Sequence, residues 1–397
     1  MENNLRIFNH SEICGTYSIS SNTCVKLTQG TVLKATENLD KYLADDSIFL
    51  DNCGNELGRS MFFANGCENI EILGEEGSVI DGEGWRWVSV PAKTKRPSLI
   101  RLVDCRNVKI HNLTLIDSPC WCIHLHNCEN VLIENVKIKS WCNVNNDGID
   151  IDCCRNVRVK NCEIDTGDDA IVLKATKNIS SENIHISDCV ITSRWAGFKI
   201  GTETVGDFRN IIFENSKIVR SEGGTVKIMS VDGSVIDGVN IRNIIVEKGS
   251  GPIFIANGYR MREYFAHNKK SEPGRIKNVT FENFNANVYI NEADTINAGK
   301  GVVLITGSQD RMIENIELKD CNFNMPCGCL ENKDYSVGEL TTGYPEFYAL
   351  GTTPSYGAYL RHAKNVTFKN VKFNKCNEDV REEIVVCDVQ KFKVEND

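Results

Sequence analysis

The sequence predicts an all-β solenoid, a parallel β-helix of about ten coils, on three observations. A nine-residue motif close to Asn-Val-x-Ile-x-Asn-x-x-Ile returns along the chain. Its successive copies start at nearly even intervals. Within each copy apolar and polar residues alternate, which is the period of a strand with one face turned inward.

The copies read NVKIHNLTL from Asn107, NVLIENVKI from Asn130, NVRVKNCEI from Asn156, NIHISDCVI from Asn183 and NIIFENSKI from Asn210. Their starts are 23, 26, 27 and 27 residues apart, inside the range that marks stacked repeats. An earlier copy begins at Asn69, and later ones at Gly238, Asn278, Asn315 and Asn365. Val and Ile dominate and no helical spacing appears, so strands are expected. A leucine-rich horseshoe would need regular leucines and a helix per repeat, and both are missing. Each turn is therefore expected to give one strand to each of several sheets, with turns about 4.8 Å apart.

Residues 1–68 read as a lead-in and cap, with Leu27 to Leu50 supplying a strand and the covering segment. A solenoid needs such a cap because a bare end exposes its interior and its strand edges. Residues 69–397 read as one continuous β-helix domain. The recurring asparagines are expected to cap turns, through their own backbone or along an asparagine ladder. Cys105, Cys128, Cys162 and Cys189 recur in one register and read as an interior stack rather than a metal site. The 18 cysteines are scattered through a long chain and read mostly as reduced. Two insertions, Ser250 to Arg275 and Cys327 to Arg361, are expected as loops on one face. The second carries Tyr344, Phe347 and Tyr356, suited either to stacking on sugar rings or to packing over the C-terminal end.

A net charge of −9 argues against a nucleic-acid or anionic-membrane partner, since both select basic surfaces. No stretch approaches the roughly 20 apolar residues of a membrane span. MENNLRIFNHSEICGTYS has neither a basic start nor an apolar run, so a cytoplasmic protein is expected, as a monomer or weak homo-oligomer.

The chemistry concentrates in NNDGIDIDCCRNVRVKNCEIDTGDDAIVLK, from Asn145 to Lys174. Asp147 precedes the pair Asp168 and Asp169 by 21 residues, close to one coil. Asp-Gly and Gly-Asp are also ordinary turn dipeptides, so a purely structural role is the competing reading. If the coils stack, the three carboxylates are neighbours. They cannot all ionise cheaply, which yields an acid beside a base. Glycosidic hydrolysis needs that division of labour.

The motifs in their order resemble glycoside hydrolase family 28, the polygalacturonase family of right-handed, single-stranded parallel β-helices, and its bacterial branch in particular. The resemblance is carried by IDGEGWRW from Ile80, RPSLIRLVDCRNVKIHNLTLIDSPCWCIHL from Arg96, NNDGID, TGDDAIVLK, FKIGTET, GPIFIANGYR and YPEFYALGTTPSYGAYLRH. It implies that Asp168 is the general acid and that Asp147 and Asp169 activate water from the opposite side. It also implies inversion at the anomeric carbon, with about 6.5 to 9.5 Å between acid and base, and no metal or other cofactor.

The departures from the family pattern bear on the substrate. Trp195, in Arg194-Trp195-Ala196-Gly197, stands where the family has the His of Gly-His-Gly. Lys227-Ile228-Met229 replaces the Arg-Ile-Lys that holds a galacturonate carboxylate, so one cation remains. Lys199 or Arg260 is a candidate for the missing one, and Glu203 a candidate substrate contact. Trp121 and His124 match a substrate-cleft Trp and His, with a packed histidine as the other reading. His124 and His126 share a strand face, but no acidic or thiol ligand at fixed spacing suggests a metal.

The expected function is an inverting, exo-acting glycoside hydrolase of short pectin-derived oligosaccharides containing galacturonate or rhamnose. A glycosyl- or fructosyl-transferring β-helix enzyme and a non-catalytic carbohydrate-binding β-helix are the alternatives. A lyase or epimerase on the same fold fits the three acids less well.

Overall fold

The computed structural model describes residues 4–44, 47–88, 95–290, 301–331 and 335–396; Asp45 and Asp46 of the lead-in segment lie outside them. The chain forms two compact units, Met1–Lys174 with Ile179–Ser193, and Ala175–Asn178 with Arg194–Asp397. Each unit is a stack of parallel β coils. Helix is confined to three short 3-10 turns among the described residues, and none is long and apolar enough to cross a membrane.

In the first unit, Thr23–Leu27, Glu68–Gly74, Arg106–His111, Glu129–Glu134, Arg155–Lys160 and Ser181–Ser187 pair in parallel, each with the next. Asn4–Phe8 pairs with Thr23–Leu27 ahead of them. The coils therefore begin well before Asn69, in a stretch too divergent from the motif to be counted as repeats. Val108 and Ile110, Val131 and Ile133, Val157 and Val159 are all buried, as the alternation requires.

The motif's leading asparagine has a double reason. Asn69, Asn107, Asn130, Asn156 and Asn183 all sit at φ between 53° and 58°, a left-handed turn that side chains other than Gly, Asn and Asp avoid. Their amides then stack from coil to coil. Asn69 donates to Asn22 at 2.8 Å, Asn107 to Asn69 at 3.1 Å, Asn130 to Asn107 at 3.2 Å, Asn156 to Asn130 at 3.1 Å and Asn183 to Asn156 at 3.1 Å.

The cysteines stack too, in two columns rather than one. Cys105, Cys128 and Cys154 form the first, with the Cys128 amide donating to Cys154 Sγ at 3.3 Å. Cys162 and Cys189 form the second. All 18 cysteines are free thiols.

One sheet of the first unit matters for the site. Its strands are β1 (Ser60–Asn65), β2 (Ser98–Val103), β3 (Ile123–His126), β4 (Ile149–Asp152) and β5 (Ile171–Ala175). Alternation sends Ile123, Leu125, Ile149 and Ile151 into the core. The intervening residues line the outer face in two columns. Arg101, His124, Asp150 and Val172 are in register, and so are Val103, His126, Asp152 and Lys174.

In the second unit the corresponding strands are β6 (Phe198–Thr204), β7 (Val226–Ser230), β8 (Ile253–Asn257), β9 (Val303–Thr306) and β10 (Ser355–Lys369). They pair in parallel in chain order. Part of the insertion between Cys327 and Arg361 packs down on these strands. Leu340, Phe347 and Leu350 are buried in one cluster with Met229, Phe254, Leu304 and Tyr359, and the Phe254 and Phe347 rings lie 4.6 Å apart.

Candidate active site

The loop carrying Asp147 is held from behind by a buried arginine. Arg96 donates to the carbonyls of Pro119 and Val144 at 2.7 and 2.6 Å and to the side chains of Asn55 and Asn145 at 2.8 and 3.1 Å. Asn146 folds the loop on itself, accepting from the Asn143 amide at 2.7 Å and donating to the Ser118 carbonyl at 2.5 Å. The coil then passes so close to its neighbour that a Cβ on Gly148 would lie 2.5 Å from the Ala170 carbonyl oxygen. Only glycine fits there.

The acidic pair is fixed by the same coil stacking. The Gly148 amide donates to the Asp169 carbonyl at 2.9 Å, and the Cys122 amide to that of Asp147 at 2.8 Å. Thr166 and Ser193 hydroxyls both donate to the Asp168 carbonyl, at 2.8 and 2.7 Å. As a result, Asp147, Asp168 and Asp169 each bring one carboxylate oxygen within 4.8 Å of the others. Stacked coils are one strand spacing apart, and here the side chains converge rather than splay.

Burial pushes the Asp147 carboxyl well above the usual carboxylate range, and the charges of Asp150 and Asp168 push it further. The opposing influence is Lys174, whose Nζ lies 3.9 Å from Asp147 and 3.6 Å from Asp150. With one ammonium against several carboxylates, burial and like charge together favour the protonated form of Asp147.

Trp121 and His124 are not open to a sugar. Trp121 is 2% exposed and His124 fully buried. A hairpin of Phe49–Leu50 with Glu56–Leu57 lays the Phe49 ring 6.4 Å from Trp121, 6.1 Å from His124 and 6.2 Å from His126. Arg101 ties His124 to the Ser47 hydroxyl, 2.8 Å away. Burial, reinforced by Arg101, drives the His124 imidazole down to about 4, so it is neutral at ordinary pH. Trp121 lies under the Lys174 ammonium, 4.3 Å from ring centre to Nζ. Trp121 therefore packs beneath Lys174, with the His124 ring 4.9 Å from its own.

In the second unit the candidate substrate residues have partners within the chain. Lys227, expected to hold a substrate carboxylate, is taken by Glu346, whose two oxygens lie 2.7 and 2.6 Å from its Nζ. Trp195 joins them, its indole N–H donating to Glu346 at 3.1 Å. Arg260, a candidate replacement cation, is spent on Asp232, with Nε 2.9 Å from Oδ1, and it also donates to the Thr202 carbonyl at 2.5 Å. Lys199 is buried, with Nζ 3.4 Å from the Tyr344 hydroxyl. Glu203 is buried and its charge acts on Arg260 and Tyr264.

His126 has metal-type neighbours that the sequence reading missed. Folding brings Asp152 and Cys153, both buried, to within 4.8 Å of it, donor atom to donor atom. Arg96, Asp150, Lys174, Asp232 and Glu346 were likewise not singled out. Arg96 and Lys174 do lie within the motifs RPSLIRLVDC and TGDDAIVLK.

Comparison with known proteins bears on the family. The chain is 25% identical over 265 residues to a probable polygalacturonase of Vitis vinifera, covering 62% of this chain and 54% of that protein. It is 30% identical over 229 residues to a probable polygalacturonase of Arabidopsis thaliana, covering 54% and 48%. It thus spans about half the length of these curated relatives. In fold it resembles a family 28 exopolygalacturonase of Yersinia enterocolitica, with a TM-score of 0.71, 16% identity, and coverage of 99% of this chain and 73% of that one. The model of glycosyl hydrolases family 28 matches residues 53–333, well over half of the chain, and the chain belongs to that family.

Proposed function

We propose that the chain hydrolyses glycosidic bonds with Asp147, Asp168 and Asp169, acting as an exo-enzyme on short pectin-derived oligosaccharides. The observation that carries this is the convergence of three carboxylates within 4.8 Å. Asp168 protonates the departing glycosidic oxygen. Asp147 and Asp169 take the proton of the attacking water, and the raised affinity of Asp147 for a proton makes its ionised form the stronger base. Lys174, beside Asp147, favours that ionised form.

Exo-action is supported by the first unit alone. Among the described residues, the Phe49 hairpin packs over Arg101, His124 and His126 on its sheet face beyond the acids, which supports a cleft closed on that side. Membership of family 28 supports the reaction class, and names such as polygalacturonase among the relatives support a pectic substrate.

Inversion is the stereochemistry implied by the resemblance. Its alternative is retention through a covalent intermediate. Proton NMR of the first-formed product, with a panel of pectic and neutral oligosaccharides, separates the two. Loss of turnover with retained binding in Asp147→Asn, Asp168→Asn and Asp169→Asn supports hydrolysis by this cluster. Unchanged turnover in all three sinks it, and sugar transferred to an acceptor without release of free sugar points to the transferase reading.

A further inference from the structure

We propose that His126, Asp152 and Cys153 hold a zinc ion that staples two neighbouring coils of the first unit. The site uses none of the three acids and is independent of the hydrolase reading. His126 ends β3, while Asp152 ends β4 in the next coil and Cys153 follows it. The three residues are buried, with exposures of 0%, 0% and 1%. One ligand atom from each lies within 4.8 Å of the other two.

The donor set selects the ion. An imidazole nitrogen, a carboxylate oxygen and a thiolate sulfur together suit zinc, which binds all three at about 2.0 to 2.3 Å. Calcium and magnesium take oxygen ligands and would not use the thiol. Asp152 and a deprotonated Cys153 carry two negative charges, which a divalent cation offsets inside the fold. On binding, the Cys153 S–H bond breaks, its proton goes to solvent and the sulfur lone pair forms the bond to zinc. His126 gives a lone pair of its neutral ring, and a water completes four-coordination.

The carboxylate has the outer support that such ligands need. Arg101 can only donate, so its contact with His124 Nδ1 leaves the proton of that ring on Nε2. His124 Nε2 lies 3.4 Å from Asp152 Oδ2 and donates to it, leaving Oδ1 for the metal. The Phe49 ring, 6.2 Å from His126, covers this face. A site so enclosed takes its ion as the chain folds.

The turn that carries the thiol adds an independent reason. Asp104, Asn127 and Cys153 are equivalent in successive coils: their amides donate to the carbonyls of His126, Asp152 and Lys174. All three are left-handed, at φ 52°, 53° and 59°. Asp and Asn suit that conformation. Cys does not, and it stands in the one of these three turns that follows a strand ending in Asp beside a histidine.

The test uses the full chain, produced in medium supplemented with zinc or with cobalt(II) and then freed of loosely held metal by a weak chelator. Wild type is expected to retain about one ion per chain, and its cobalt form to show a thiolate-to-cobalt charge-transfer band. Cys153→Asn supplies the residue that the adjacent turn already has, so it should fold, yet lose both the ion and the band. Zinc should raise the Tm of wild type and leave that of Cys153→Asn unmoved. Asp168→Asn should keep the ion, which separates this site from the acids. Wild type holding less than about a tenth of an ion per chain overturns the inference and leaves the three residues as a buried polar cluster. An ion retained by Cys153→Asn, or lost from Asp168→Asn, places the metal elsewhere and overturns it too. If Cys153→Asn does not fold, X-ray absorption at the zinc edge of wild type decides. A single sulfur among nitrogen and oxygen neighbours supports the site, and any other sulfur count overturns it.

Discussion

The ammonium of Lys174 lies 3.9 Å from the carboxylate of Asp147 and rests on the face of Trp121, 4.3 Å from the ring centre. Its charge is the main influence opposing the upward push on Asp147. Lys174→Met keeps the stem that packs on Trp121 and deletes the charge. Asp147 then binds its proton more tightly still, so the acid limb of the kcat/KM profile should move to higher pH, by about one unit or more for loss of an opposite charge at this distance. A fall in rate with no movement of that limb would mean that Lys174 serves only packing.

Asp147 also couples catalysis to stability. Its folded-state proton affinity is raised, so the folded state is most favoured when the carboxyl is neutral. Stability is lost as pH rises from the ordinary carboxylate value through the raised one. Asp147→Asn removes this loss together with the repulsion from Asp150 and Asp168. The variant should match wild type at pH 3 and exceed it near neutrality, with Tm rising by roughly 2 to 4 °C per kcal/mol recovered. Melting curves between pH 3 and 8 check this. A variant that is less stable than wild type at pH 7 would show that Asp147 is not strained by its surroundings.

Arg96 acts through the loop it holds. Arg96→Met leaves the Pro119 and Val144 carbonyls and the Asn55 and Asn145 side chains without its charged donors. The expected cost is roughly 3 kcal/mol, in line with unsatisfied buried groups. Because Asp147 moves with that loop, kcat should fall about tenfold or more at 20 °C, a misplacement effect, with KM changing less. Arg96→Lys restores one charged donor and should recover part of kcat. Equal kcat in folded Arg96→Met would confine the residue to stability.

What could be read from the sequence is what repeats locally. The copies from Asn107 to Asn183 carry their own strand period and their own turn residue, and Asp147, Asp168 and Asp169 fall one coil apart. The features that escaped come from distant parts of the chain. Glu346 is 119 residues from Lys227, and no pattern in either stretch announces the other. The Ser47 to Leu57 segment lies in the divergent lead-in, so nothing warned that it would roof His124. The pairing of Asp152 with His126 follows from strand register, which shifts every contact if misjudged by one residue.

The asparagine ladder makes two contributions that mutation can separate. Asn130 sits at φ 58°, donates to Asn107 and accepts from Asn156, at 3.2 and 3.1 Å. Asn130→Ala loses both hydrogen bonds and forces a Cβ residue into the left-handed region, for a total near 2 to 3 kcal/mol. Asn130→Gly loses the same hydrogen bonds but adopts the turn freely, though it adds backbone freedom to the unfolded chain. If the left-handed turn matters more than the hydrogen bonds, glycine should be the more stable variant by about 1 kcal/mol in urea unfolding. If the ladder dominates, the two should be equally destabilised. An alanine variant more stable than glycine would mean the turn relaxes once its side chain is gone, and the φ shared by the column would then be a consequence of the ladder instead of its cause.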